Sequence, residues 1–157
     1  MFILNSTDPE LRYQSMLSKI KVHGGRITSH RLALLRLVAV SEGHPSAAQL
    51  YERLRVQFPT ISLATIYRTL ALLKEKGEIL EIDLHNDSHY DGYKPYPHPH
   101  LICTCCNKIM DGDDLPVLQN INQQIAERYG FQVQRQHQVF YGICSECQQA
   151  PTNIRGK

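Results

Sequence analysis

Apolar residues recur with helical period in four successive segments of the N-terminal half. The first covers residues 11–22 and is closed by Gly24 and Gly25. The second opens at a Thr28/Ser29 cap and runs to about residue 40. The third begins Ser46-x-x-Gln49, a capping-box pattern in which the two side chains answer free N–H groups of the first turn. It puts Ala47, Leu50, Leu54 and Phe58 on one face and is predicted to stop at Pro59. The fourth covers residues 62–76, turns Leu63, Ile66, Leu70 and Leu73 toward a core, and ends at Gly77. Residues 78–84 and 88–90 then read as two strands around a His85-Asn86-Asp87 turn. Helices followed by a two-stranded wing predict a winged helix over residues 1–92.

The pattern breaks at Lys94-Pro95-Tyr96-Pro97-His98-Pro99, which predicts a hinge at residues 93–97. Residues 98–157 read as a smaller α/β domain, so the fold class is α+β. The tail, residues 150–157, has the composition of a frayed end.

Composition adds little until charge is read by region. The 157 residues carry a net charge of +2 and are 42% hydrophobic, an ordinary globular balance. Residues 1–77 hold 11 Lys/Arg against 5 Asp/Glu, whereas residues 78–114 hold 2 against 8. A basic head suits a polyanion surface, and an acidic, His-rich middle suits a cation site. The N-terminus lacks a basic segment before a long apolar run, and no stretch is long enough to span a bilayer. A cytoplasmic protein is expected, in which paired cysteines read as metal ligands or redox thiols before disulfides.

Cys103-x-x-Cys106 and Cys144-x-x-Cys147 are two such pairs. Four thiolates at this spacing form the usual ligand set of a structural Zn²⁺. Two disulfides would need an oxidising compartment, and a dithiol redox motif would place a pair at a helix start. Each pair here lies by a strand-like segment. Cys105 is the odd fifth cysteine and reads as a bystander in the knuckle turn.

His98 and His100 alternate on an extended chain, so both imidazoles face one side. With Asp91 and Asp111 nearby they offer nitrogen and carboxylate donors, a set suited to Fe²⁺, Mn²⁺, Co²⁺ or Zn²⁺ rather than Cu(I). On the fourth helix, Ala64, Thr65, Arg68 and Ala71 lie opposite the apolar stripe, with Tyr67 at its flank. Small residues beside an Arg and a Tyr suit a helix entering the DNA major groove, since Arg can bond a guanine edge bidentately. A plain helical pair with a solvated charged face would share that pattern. An enzyme built on these groups would lack a general base outside the ligand set.

Several runs together resemble the ferric uptake regulator family: Arg26-Ile27-Thr28, His44-Pro45-Ser46-Ala47, residues 62–70, residues 98–103 and Tyr141-Gly142-Ile143-Cys144. The likeness covers about residues 19–148 in order. It implies a non-enzymatic, homodimeric, metal-dependent repressor binding double-stranded operator DNA through the winged helix and pairing through the α/β domain. Tyr67, Arg68 and Thr65 then lie on the recognition helix and Arg26 near the minor groove. The four cysteines hold structural zinc. His44, which no local pattern marks, joins Asp91, His98, His100 and Asp111 around one regulatory Fe²⁺ or Mn²⁺.

Asp111 stands where iron-sensing members usually have Glu and peroxide-responsive members have Asp. The chain therefore resembles the peroxide-responsive type, in which hydrogen peroxide oxidises a ligand histidine at bound Fe²⁺ and the repressor leaves DNA. The resemblance makes His44 and His98 the oxidised candidates. An iron-responsive repressor is the alternative and a zinc-responsive one the third reading. The second His/acid cluster of many iron sensors is altered here: Pro97 and Pro99 occupy ligand positions, and Gln136 stands where a His is expected, with His137 one place on and so on the other strand face.

Overall fold

The computed structural model describes residues 7–84, 87–112, 115, 118 and 120–149. The chain divides between Tyr96 and Pro97 into two compact units.

The N-terminal unit is built from helices whose ends are set by local caps. Helix α1 (Pro9–Val22) starts two residues before the predicted position, because the Asp8 side chain accepts the Leu11 N–H at 2.9 Å and Pro9 suits the first turn. It ends where Gly24, at φ +69, lets the Gly25 N–H reach the Ile20 carbonyl at 2.9 Å. Helix α2 (Ser29–Val40) is capped by Thr28. Helix α3 (Ala47–Arg55) carries the full capping box: Ser46 N–H donates to Gln49 Oε1 at 2.9 Å, and Gln49 N–H donates to Ser46 Oγ at 3.3 Å. It stops short of Pro59, because the Leu54 carbonyl takes the N–H groups of both Gln57 and Phe58 and closes the last turn.

Helix α4 (Leu63–Glu75) departs from expectation in one position. Leu63 is 39% exposed in the first turn, and Ile61, just before the cap, is buried instead. Thr69 completes the buried stripe with Ile66, Leu70 and Leu73; its hydroxyl donates to the Thr65 carbonyl at 2.8 Å, which permits burial. These side chains join Met16, Ile20, Leu34, Leu35, Val38 and Leu50 in one core.

Strands β1 (Leu80–Leu84) and β2 (Asp87–Asp91) pair antiparallel, with Leu80 opposite Asp91 and Leu84 opposite Asp87. Asp87 is thus in a strand rather than a turn; His85 and Asn86, with the tail from residue 150, lie outside the described residues. Glu78 is not in the hairpin, because it is buried against Arg12. Arg12 Nη1 donates to Glu78 Oε2 at 3.0 Å, Nη2 donates to the Glu78 carbonyl, and Nε donates to the Gly92 carbonyl at 3.0 Å. Ser15 Oγ supplies a further bond to Glu78 Oε1 at 2.9 Å. The network ties α1 to both ends of the hairpin. Gly92 itself passes so close to α2 that a Cβ would lie 2.2 Å from Val38 Cγ1.

The C-terminal unit is a three-stranded sheet of order β4-β3-β5, from β3 (Pro99–Cys103), β4 (Ile109–Asp111) and β5 (Gln138–Gly142). Strand β4 runs antiparallel to β3, with His100 opposite Asp111; β5 runs parallel, with Cys103 opposite Gly142. Helices α5 (Ile121–Tyr129) and α6 (Ser145–Gln149) bury no residue. Among the described residues of this unit the buried apolar side chains are Pro99, Ile102, Cys103 and Cys144.

Candidate functional site

The exposed face of α4 carries Ala64, Tyr67, Arg68 and Ala71. Arg68 Nε donates to the Ala64 carbonyl at 3.1 Å, which lays the guanidinium along the helix. Thr65 is half-buried and belongs to the helix start: its N–H donates to Ser62 Oγ at 3.2 Å, and its hydroxyl lies 2.9 Å from the same oxygen. Arg26 is exposed, and its carbonyl accepts from Arg31 Nη1 at 2.7 Å. A Lys74–Glu81 ion pair fastens α4 to the hairpin, and the Tyr90 hydroxyl lies 3.5 Å from Glu81 Oε1. Burial, reinforced by the Glu81 charge, pushes that phenol up to about 12.

The sulfurs of Cys103, Cys106, Cys144 and Cys147 lie within 4.8 Å of one another. Cys103 ends β3, and the chain turns back through Asn107 at φ +60, with the Asn107 N–H on the Cys103 carbonyl at 2.9 Å. Cys144 and Cys147 sit at the start of α6, not by a strand alone as the sequence suggested. That is where a dithiol motif would lie, but its sulfurs converge with those of the other knuckle. Cys106 Sγ is 3.8 Å from Cys144 Sγ, too long for a disulfide and equal to the edge of a sulfur tetrahedron with Zn–S of about 2.3 Å. The Cys144 N–H donates to Cys103 Sγ at 3.3 Å; this bond, with N–H groups of the first knuckle, holds the Cys103 thiol down at about 6. Cys147 is pushed above the usual thiol range, first by Cys144. A thiol held down beside one pushed up, with all four sulfurs converging, is a donor set that a cation would complete. Lys108 and Glu146 bridge the two knuckles at 2.8 Å, and Cys105 is exposed.

The histidines and carboxylates singled out in the sequence fall on both units. In the N-terminal unit, buried His44 Nε2 lies 3.6 Å from Asp91 Oδ2. Asp91 Oδ1 accepts the N–H groups of Tyr93 and Lys94, both at 2.9 Å. His44 has φ +48, a conformation that costs a non-glycine residue on the order of 1–3 kcal/mol. In the C-terminal unit, Asp111 Oδ1 lies 3.2 Å from His98 Nε2 and 3.8 Å from His100 Nε2, and the two rings are 4.3 Å apart. The β3–β4 register sets this trio. Two imidazoles and a carboxylate on one side of a sheet fit a divalent first-row metal, with the two-His, one-carboxylate pattern typical of non-haem Fe²⁺. His137 is exposed on the coil before β5. Sequence reasoning missed two supports of these ligands, His89 beneath His44 and Arg12 beneath Gly92; no local pattern marks either.

The family model for the ferric uptake regulators matches residues 22–141. The chain belongs to the ferric uptake regulator family. It is 34% identical to the peroxide-responsive repressor PerR of Staphylococcus epidermidis over 146 residues, 93% of this chain and 95% of that protein. Among solved structures it is similar to the Campylobacter jejuni peroxide stress regulator, at 30% identity and a TM-score of 0.66 over 85% of this chain and 98% of that one. The Helicobacter pylori ferric uptake regulator shares the fold, with a TM-score of 0.76 at 22% identity, covering 96% of this chain and 99% of that one. The described helices include none long and apolar enough to cross a membrane.

Proposed function

We propose that this chain is a metal-dependent, peroxide-sensing transcriptional repressor of the bacterial cytoplasm. The observation that carries the reading is the all-nitrogen-and-oxygen ligand trio in which Asp111 reaches both His98 and His100. It contains no thiol, the donor that zinc-sensing members of the family typically carry in this site. His44 and Asp91 supply the remaining ligands of the same Fe²⁺ or Mn²⁺, and the four cysteines hold a structural Zn²⁺. The functional division is a DNA-binding domain at 1–92, a hinge at 93–97 and a dimerisation domain from 98 onward.

The residues then act by linkage. His44 and Asp91 belong to the DNA-binding domain and the trio to the dimerisation domain. Ligands from both, drawn to one ion, restrict the spacing of the two recognition helices in a dimer. Metal affinity and DNA affinity must rise together. Arg68 and Tyr67 read the operator, Thr65 shapes the start of their helix, and Arg26 meets the adjacent backbone or minor groove. Exposed Phe140, Tyr141 and Ile143, along the edge strand β5, supply the apolar surface for a second copy of the chain. Bound Fe²⁺ would supply the electron that turns hydrogen peroxide into an oxidant. Oxidation of His44 or His98 removes a ligand, and the dimer loses its restricted spacing.

A gel shift on operator DNA tests this reading. Protein loaded with Fe²⁺ is expected to release DNA on peroxide treatment, whereas protein loaded with Mn²⁺ keeps it. Equal retention by both forms would favour a plain iron-responsive repressor.

A further inference from the structure

We propose that His89 is a positioning residue for His44: its ring N–H clamps the loop at residues 44–46 onto β2 and presents His44 and Asp91 as one preset ligand pair. The inference rests on the metal-binding reading of His44 given above.

His44 stands at φ +48 and precedes Pro45, whose ring disfavours helical backbone in the residue before it. A histidine in that conformation needs outside support. His89 Nδ1 lies 2.7 Å from the His44 carbonyl. A carbonyl only accepts, so Nδ1 carries the proton. The Tyr90 N–H donates to the Pro45 carbonyl at 3.0 Å, and Ser46 forms a β-bridge with His89. Beyond the loop, the capping box fixes Ser46 to the start of α3. The loop is thereby pinned to β2 at a single bridge.

The strand period explains why one residue can set both ligands. His89 and Asp91 are two apart on β2 and share a face. His89 holds the His44 backbone, while Asp91 lies 3.6 Å from the His44 ring. A pair held by the backbone has less freedom to lose on binding an ion, which strengthens binding.

A double-mutant cycle on the full-length, zinc-loaded protein tests the clamp, with Mn²⁺ affinity read by competition against a fluorescent chelator. His89→Ala is expected to weaken Mn²⁺ binding by about 10–100-fold with zinc content unchanged. His89→Asn places an amide N–H near the position of Nδ1 and is expected to restore most of that loss. Adding His89→Ala to His44→Ala is expected to change nothing further, since His89 acts through His44. If His89→Ala does not fold, His89→Gln, whose amide reaches one bond too far, replaces it in the cycle. Wild-type affinity in the single variant, or an additive loss in the double variant, overturns the inference. If His44→Ala itself leaves Mn²⁺ binding intact, the metal-binding reading fails instead.

Discussion

The two units are held together by different means. The N-terminal unit has a continuous core from Tyr13 to Tyr90 and a buried Arg12–Glu78 pair. Two of the four apolar side chains buried in the described C-terminal unit are Cys103 and Cys144, members of the sulfur cluster. Its described helices α5 and α6 bury nothing, and Tyr129, Phe131 and Tyr141 are each more than 60% exposed. The first unit draws its stability from apolar burial. In the function proposed above, the second gains its stability from a cation cross-linking the four sulfurs and from a partner copy covering its exposed apolar surface. The proposed function thus pairs a DNA-reading unit built on its own core with a sensing unit that a cation and a partner would complete.

Three substitutions would break or sharpen this contrast. The largest effect is expected from Cys103→Ser, which removes a zinc ligand from a site contributing on the order of 10 kcal/mol. Zinc should be lost and amide hydrogen exchange should accelerate across residues 97–149, while the core amides of α2 and α4 stay protected. Simultaneous loss of protection in both units would contradict the division. Next comes Arg12→Ala. Removing one member of a buried ion pair costs about 3–5 kcal/mol, because Glu78 is left buried with its charge uncompensated. Thermal unfolding of the N-terminal unit should shift down sharply, with zinc content unchanged. The smallest is Arg68→Ala, expected to weaken specific DNA binding by about 1–3 kcal/mol without moving the unfolding midpoint. Unchanged binding would remove Arg68 from the DNA-reading surface.

The parts legible in the sequence are those written locally. The Ser46/Gln49 capping box, the Gly24 and Gly77 stops and the apolar stripe of α4 each lie within one or two helical turns. The CxxC spacing announced the sulfur cluster for the same reason. Leu63, expected in the core, is exposed, because periodicity alone does not say where a helix's first turn leaves the core. Arg12 meets Glu78 across 66 residues and His89 meets His44 across 45, and chain order does not encode such pairings. His44 had no local signal, and family likeness alone brought it forward. The β3–β4 register, which sets His98 and His100 against Asp111, became visible only when the strands were paired.

Peroxide sensing as proposed requires that His44 or His98 be oxidised. Its most direct test is peptide mass spectrometry of full-length protein, loaded with Fe²⁺ or with Mn²⁺ and then exposed to hydrogen peroxide. The account predicts one added oxygen on the peptide containing His44 or His98 in the Fe²⁺ form and none in the Mn²⁺ form. Unmodified histidines in Fe²⁺-loaded protein that still binds its operator would contradict it.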